Sequence, residues 1–333
     1  MKKTFKICVS ILLLIISPFV CNYLIGKYEA YKYQAPGQFI KIDGEDMHYL
    51  YTGQTHITPA VVLIAGGGSS LLEWSLVQPQ ISRFARVVSY DRKGLGFSPI
   101  SSKPRTIENL AQDLYQLLKT VPGPYILVGH SMAGIIIPKL VSDHSDLDIR
   151  SVVLVDAIEG NFREYFPLIF QHPEPKWKVL LKVYSSYFRV YDWFFQSEPQ
   201  YFGKASEVYK AFDAPIKEAI FANFYARDIL GSYAETAENY EGSPIYFHNL
   251  DNAKSVTNIL IEKKIPVFIV SSESFTKAQT KNSEDNNAFR KLQSDLKNKY
   301  GNQIIVKGSD HFITRHDPQV ITDIVRNSIN KNE

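Results

Sequence analysis

The chain has 333 residues and carries 37 Lys and Arg against 34 Asp and Glu, a formal charge of +3. Its 45% hydrophobic and 21% charged composition excludes a disordered or collagen-like chain, and its length excludes a small disulfide-stapled module. Charge this evenly balanced, with no long basic run, does not indicate a nucleic-acid partner.

Lys2, Lys3 and Lys6 precede an apolar stretch from Ile7 to Ile25. A basic flank followed by a bilayer's worth of helix predicts a membrane anchor or signal segment over residues 1–26. No small-x-small cleavage site follows the run, which favours an uncleaved single-pass anchor over a signal peptide. The lysine flank then places the remainder on the extracellular side of the cell membrane, with secretion as the alternative. Cys21 follows Pro18-Phe19-Val20, a poor lipobox. It and Cys8 are the only cysteines, so the rest of the chain has no disulfide framework, thiolate metal site or cysteine nucleophile.

Beyond this segment, Phe39 to Tyr51 alternates around Asp43-Gly44-Glu45-Asp46 and predicts a β-hairpin. Ala60 to Ala65 is the continuous apolar run of a buried parallel strand, followed by Gly66-Gly67-Gly68. Phe84 to Tyr90 is the next strand, and Thr106 caps a helix running to Val121. Strands at Tyr125–Val128 and Ser151–Val155 follow, ending at Gly129-His130-Ser131-Met132-Ala133-Gly134 and at Asp156. Strands alternating with helices predict an α/β fold with a mostly parallel sheet flanked by helices.

The alternation stops over residues 160–263, which are rich in aromatics and read as amphipathic helices, among them Trp177–Phe188 and Val208–Leu230. It resumes with a strand at Pro266–Val270, a polar loop at Asn282–Asn287, a helix at Asn287–Tyr300, a strand at Gln303–Val306 and a last helix at Pro318–Ile329. The economical division is a core in two parts, 27–159 and 264–333, with a mainly helical cap at 160–263 inserted between them.

Gly129-His130-Ser131-Met132-Ala133 is a G-x-S-x-G pattern with alanine at its last position. A serine on a tight strand-to-helix turn needs small residues two positions either side, and the turn presents its hydroxyl at a helix N-terminus. Ser131 is the candidate nucleophile. The amides of Met132 and of Gly67 in the glycine loop are the candidate oxyanion donors. The glycine loop does not continue into Gly-Lys-Ser/Thr, so it is not a phosphate loop.

His311 follows the last strand, 180 residues after Ser131, and is the candidate general base. His130 is expected to pack or hydrogen-bond locally, and His316 to lie near the start of the final helix. Asp310 is expected to cap the turn before His311. No His-x-x-x-His or acidic ligand cluster has metal-site spacing, so neither a metal nor another cofactor is expected.

These motifs resemble the α/β-hydrolase superfamily, and more narrowly its membrane-anchored or secreted bacterial serine hydrolases. The matching parts are Val61–Ala65 with the glycine loop and Trp74, Asp91-Arg92-x-Gly94-x-Gly96-x-Ser98, Val128 to Gly134, Val153 to Asp156, and Gly308-x-x-His311. The chain departs from the family at Ala65, where many members have histidine, and at Ala133. The resemblance implies a serine nucleophile, a histidine base and an acidic residue orienting it, with no cofactor.

The family usually supplies that acid from the loop after the Pro266–Val270 strand as Gly-x-x-Asp, but here the loop reads Ser271-Ser272-Glu273-Ser274-Phe275. Some members use the strand after the nucleophile, where Asp156 stands 25 residues beyond Ser131. Asp156 is therefore favoured, with Glu273 as the alternative and Glu159 or Asp285 behind them. Asp91 is assigned to a charge-paired structural bend with Arg92.

The implied activity is hydrolysis of a small-molecule carboxylic ester through an acyl-enzyme. A serine nucleophile argues against the family's epoxide hydrolases and dehalogenases, which use aspartate there. Alternatives on the same fold are an aminopeptidase, with a cap carboxylate such as Glu164, Glu198 or Glu218 binding the amine, a lactonase, a thioesterase, or a non-catalytic membrane-tethered binding protein. The cap aromatics Trp177, Trp193, Phe194 and Phe195 suit either an apolar substrate or the cap's own core.

Overall fold

A computed structural model describes residues 2–32, 35–57, 59–166, 177, 244–274 and 283–330. The elements in chain order are helix α1 (Lys2–Lys32), strands β1 (Gln38–Ile42), β2 (Glu45–Thr52) and β3 (Ala60–Ile64), a 3-10 turn (Leu71–Trp74), α2 (Gln78–Ile81) and β4 (Val87–Tyr90). There follow α3 (Ile107–Leu118), β5 (Tyr125–His130), α4 (Ala133–Asp143), β6 (Ile149–Val155) and α5 (Phe162–Tyr165). After the cap region come α6 (Pro244–Ser255), α7 (Ile259–Glu262), β7 (Val267–Ser272), α8 (Ser283–Tyr300), β8 (Asn302–Val306), α9 (Ile313–His316) and α10 (Pro318–Asn330).

The strands form one eight-stranded sheet in the order β1-β2-β4-β3-β5-β6-β7-β8. β1, β2 and β4 pair antiparallel, and every pair from β4 through β8 is parallel. The hairpin of β1 and β2 turns on Asp43 and Gly44, both at positive φ (54° and 82°). An Asp-Gly pair in that conformation matches the twist of the flanking strands. Glu45 and Asp46, expected in the turn, belong to β2.

The continuous apolar runs reflect burial on both faces. From β3 and β5, Val62, Ile64 and Leu127 enter a core with Leu114, Leu117 and Leu140 of α3 and α4. Val61, Leu63, Ile126 and Val128 point the other way, toward Trp74, Ile81, Ile321 and Val325. Each such side chain taken fully out of water contributes roughly 1.5–3 kcal/mol before chain entropy is subtracted. The result is the α/β architecture expected, a mostly parallel sheet flanked by helices.

Thr106 caps α3, its Oγ1 accepting the Asn109 amide at 3.2 Å. Several boundaries differ from the sequence expectation. Phe84 to Arg86 precede β4 rather than joining it. The polar stretch expected as a loop at Asn282–Asn287 is, from Ser283 onward, the first part of α8. Its polar residues lie on a helix whose apolar stripe begins only at Phe289, followed by Leu292 and Leu296, all buried. His316 ends the separate short α9 rather than opening the final helix.

The segment expected as an anchor over residues 1–26 falls in α1, and among the described residues no helix is long and apolar enough to cross a membrane. α1 is continuous through Pro18 and runs on to Lys32, so its apolar stretch shares the helix with Asn22, Lys27 and Glu29. Its apolar side chains are nonetheless exposed, Phe5 at 70% and Leu14 at 72%. Most of the expected cap lies outside the described residues, including Trp193, Phe194, Phe195, Glu198, Glu218 and the Val208–Leu230 helix.

Candidate active site

The parallel strands deliver their carboxyl ends to one edge of the sheet, where β3, β5, β6, β7 and β8 each release a loop. β5 ends at His130 and α4 starts at Ala133, leaving two residues for the reversal. Ser131 takes the strained part of it at φ 51°. A non-glycine residue there costs of order 1–3 kcal/mol and persists only where neighbours hold it. Its amide donates to the Val155 carbonyl at 3.1 Å, and its carbonyl accepts from Gly134 and Ile158 at 3.0 Å.

Close packing explains the small residues around it. A Cβ on Gly129 would stand 2.8 Å from the Cβ of Ala133, and one on Gly134 would run into the carbonyl of Ile158. Ala133 itself is fully buried, so its methyl group fills the space available.

The hydroxyl of Ser131 lies 3.0 Å from His311 Nε2, and His311 Nδ1 lies 2.8 Å from Asp156 Oδ2. Asp156 directly follows β6, at φ 46° and with no exposed surface. Its Oδ1 accepts the Ser272 amide at 2.8 Å, and its Oδ2 accepts the Ser272 hydroxyl at 2.7 Å. The buried carboxyl group therefore has protein donors on both oxygens. Ser272, at the end of β7, was not singled out by the sequence reading, because nothing in its own loop marks it as a donor to another strand.

Glu273 points elsewhere. Its carboxyl group accepts the Gly308 amide at 2.8 Å and so braces the turn leading to His311. Glu159 pairs with Lys299 at 2.6 Å. Asp310 Oδ1 accepts the Phe312 amide at 3.1 Å, capping the turn as expected.

Asp91 is structural, but its charged-type partner is His48, Nδ1 to Oδ2 2.7 Å, rather than Arg92. It also accepts the amides of Leu71 and Phe97. Arg92 instead reaches back to the carbonyls of Ala65 and Gly66 at 2.7 and 2.6 Å.

In the glycine loop, the Gly66 amide donates to Glu73 Oε2 at 2.9 Å, so it is the next residue, Gly67, whose amide is not claimed by that carboxylate. Gly67 sits opposite Met132, a Cβ there lying 3.7 Å from its sulfur. The two amides chosen as oxyanion donors thus come from facing segments of chain. Around them, Met132, Ile158, Ile107, Ile135 and Ala253 form one apolar cluster. Phe289 meets the edge of the His311 ring at 5.8 Å, from a second cluster with Phe166 and Leu250.

Of the cap carboxylates, Glu164 is described, and it pairs with Lys254 at 2.6 Å. Among the described residues no group of three or more His, Cys, Asp and Glu side chains is placed to hold a metal ion.

His130 is not engaged locally, as its sequence position suggested. Its partners are Glu73 and the backbone of His311, far along the chain in both directions. Burial pushes the Glu73 carboxyl up, but the charge and hydrogen bond of His130 and the Gly66 amide outweigh it, taking the group from 4.5 down to about 2. For His130, burial works against the charged form, and the Glu73 carboxylate overcomes it, raising the imidazole above 6.5.

A carboxyl group depressed on folding stabilises above its unfolded value and loses that contribution as pH falls through the folded one. The thermal midpoint is therefore expected to drop between pH 4.5 and about 2, with a shallower acid slope in Glu73→Gln. Melting curves across that range check this, and equal slopes in the two proteins would contradict it. His130 acts oppositely: its contribution is complete below 6.5 and fades as pH rises through its elevated folded value.

Comparison with known proteins bears on this arrangement. A segment is 38% identical over 104 residues to a probable transporter, efuK, of Hormonema carpetanum, covering 30% of this chain and 15% of that protein. Protein phosphatase methylesterase 1 of Bos taurus is 29% identical over 124 residues, covering 35% of this chain and 32% of its own. The match thus spans a third or less of the length of these two relatives.

Among solved structures, the Cif epoxide hydrolase from Acinetobacter nosocomialis superposes with a TM-score of 0.64 at 16% identity, covering 94% of this chain and 96% of its own. A thermophilic esterase from Thermogutta terrifontis gives 0.58 at 16%, covering 89% and 99%. At such identities these two share the fold. The alpha/beta hydrolase family model matches residues 61–324, a span that includes the glycine loop, the Ser131 turn, Asp156 and His311, and the chain belongs to the alpha/beta hydrolase family.

Proposed function

We propose that this protein is a serine hydrolase that cleaves a small-molecule carboxylic ester through an acyl-enzyme. The observation that carries this reading is the unbroken chain from Ser131 Oγ to His311 Nε2 at 3.0 Å and from His311 Nδ1 to Asp156 at 2.8 Å.

In the first step His311 Nε2 takes the hydroxyl proton as Ser131 Oγ bonds to the substrate carbonyl carbon. The imidazolium that results faces Asp156 through Nδ1–H. The amides of Met132 and Gly67 donate to the oxyanion, and the N-terminus of α4 favours its negative charge. His311 then returns its proton to the leaving alkoxide as the tetrahedral intermediate collapses. Water attacks the acyl-enzyme by the same route, giving the acid and free Ser131.

An ester is the default because an alkoxide leaves more readily than an amine, and the partial relative carries "methylesterase" in its name. The direct test is turnover of p-nitrophenyl esters of increasing acyl length by the full-length protein in detergent, beside aminoacyl anilides, lactones and thioesters, with Ser131→Ala throughout. Ester turnover that disappears in Ser131→Ala is expected. A preference for one of the other panels would reassign it as an aminopeptidase, lactonase or thioesterase, and silence on all of them would favour a binding protein.

We also propose that α1 tethers the enzyme to a cell membrane with the hydrolase portion outside. This rests on the lysines that precede the Ile7–Ile25 run and on the exposure of Ile11, Leu13 and Leu14. Alkaline carbonate extraction is expected to leave the full-length protein in the membrane pellet and to release a form lacking residues 2–26. Full-length protein in the soluble fraction would contradict the tether.

A further inference from the structure

A second pair of titratable side chains is buried directly behind the Ser131–His311–Asp156 chain. Glu73, in the 3-10 turn, is 3% exposed, and His130, the last residue of β5, is 1% exposed. Glu73 Oε1 forms an ion pair with His130 Nδ1. The other carboxyl oxygen accepts the Gly66 amide at 2.9 Å. His130 Nε2 lies 2.9 Å from the carbonyl oxygen of His311, and the two rings are 4.6 Å apart.

Both ring nitrogens of His130 therefore face acceptors, one a carboxylate in ion-pair contact and one a carbonyl. Satisfying both takes a proton on each nitrogen, and the adjacent Glu73 carboxylate favours that charged form. Burying such an ion pair is costly, and apolar side chains of similar volume would fill the space more cheaply. Apolar groups, however, could not hold backbone polar groups of two separate loops. The pair does: Gly66 lies beyond β3 and His311 beyond β8.

We propose that Glu73 and His130 form a clamp that sets the oxyanion loop and the general base at their working separation. The proposal rests on the reading of Ser131 as a nucleophile. Glu73 grips the Gly66 amide, while Arg92 donates to the Gly66 carbonyl from another side, so Gly66, the residue that leads into Gly67, is held at both its amide and its carbonyl. His130 grips the backbone of His311. Glycine at 66 permits the close approach, since a Cβ there would stand 2.7 Å from His130 Nδ1 and 3.2 Å from the Cβ of Ser131. Neither clamp residue reaches the reacting atoms, so both are positioning residues. Other charges act on the pair: Arg315 on Glu73 and Asp156 on His130.

The test separates position from charge. In Glu73→Gln the amide oxygen still accepts from Gly66, and the amide nitrogen donates to Nδ1 of a neutral His130. The Nε2–H of that ring still donates to the His311 carbonyl. Glu73→Ala removes both grips. Glu73→Asp keeps the charge but is one methylene too short to hold Gly66 and His130 together.

Steady-state ester hydrolysis by the full-length protein is measured, with kcat normalised to the fraction of Ser131 labelled by a fluorophosphonate. Glu73→Ala and Glu73→Asp are expected to lower kcat roughly 30- to 100-fold with KM within about threefold, and Glu73→Gln to restore kcat to within about fivefold of wild type, as for small misplacements of reacting groups. If Glu73→Ala fails to fold, Glu73→Asp decides. Wild-type kcat per labelled serine in the Ala or Asp variant would overturn the clamp. So would a Gln variant as slow as Ala, which would assign the effect to charge. A wild-type protein whose Ser131 resists labelling would instead overturn the hydrolase reading beneath it.

Discussion

Ser131→Ala is expected to lower kcat for ester hydrolysis by about 10⁵- to 10⁶-fold, leaving only what binding and oxyanion donors supply without a nucleophile. The size of the effect follows from geometry. The Ser131 hydroxyl is the group at hydrogen-bond distance from His311 Nε2, and it stands on a turn whose strained backbone is held by Val155, Gly134 and Ile158. Alanine retains the Cβ and the backbone contacts, so the fold stays intact while the reacting atom is lost. Active-site-normalised rates on the best p-nitrophenyl ester check this. Residual activity within about a hundredfold of wild type would mean that water attacks directly with His311 as base, without an acyl-enzyme.

Asp156→Asn is expected to lower kcat about 10⁴-fold with little change in structure. The Ser272 amide donates to Oδ1, so the asparagine oxygen settles there and its NH₂ takes the place of Oδ2. That NH₂ then donates toward His311 Nδ1, where the carboxylate had accepted. The imidazole is driven to the tautomer with its proton on Nε2, which cannot take a proton from Ser131. Glu273→Gln is expected within a few-fold of wild type, because Glu273 touches Gly308 rather than the ring. A Glu273→Gln variant that loses kcat while Asp156→Asn keeps it would reverse the assignment.

Much of the fold could be read from the chain because its strands are buried on both faces. Ala60–Ile64 and Tyr125–Val128 fill both cores at once, so they appear as unbroken apolar runs. Boundaries were harder. The polar start of α8 resembled a loop because its buried face opens only at Asn286 and Phe289, and a short polar stretch has no periodicity to detect.

Within the site, local features were legible and partnerships were not. Ser131 was marked by its small neighbours, and His311 by its place after the last strand. The choice between Asp156 and Glu273 depended on which carboxyl group the strands bring to His311, a fact of packing across β6, β7 and β8. Glu73 offered no signal at all. It is one acid beside Trp74, and its partner His130 is 57 positions away and looked like an ordinary flank of the serine.

The central claim, that Ser131 is an activated nucleophile, is tested most directly by mass spectrometry of the full-length protein after exposure to a fluorophosphonate. The account predicts one phosphonyl adduct per chain, carried on the peptide containing Ser131, and none in Ser131→Ala or in heat-denatured protein. An adduct on another residue, or an unmodified Ser131 in the folded protein, would contradict it.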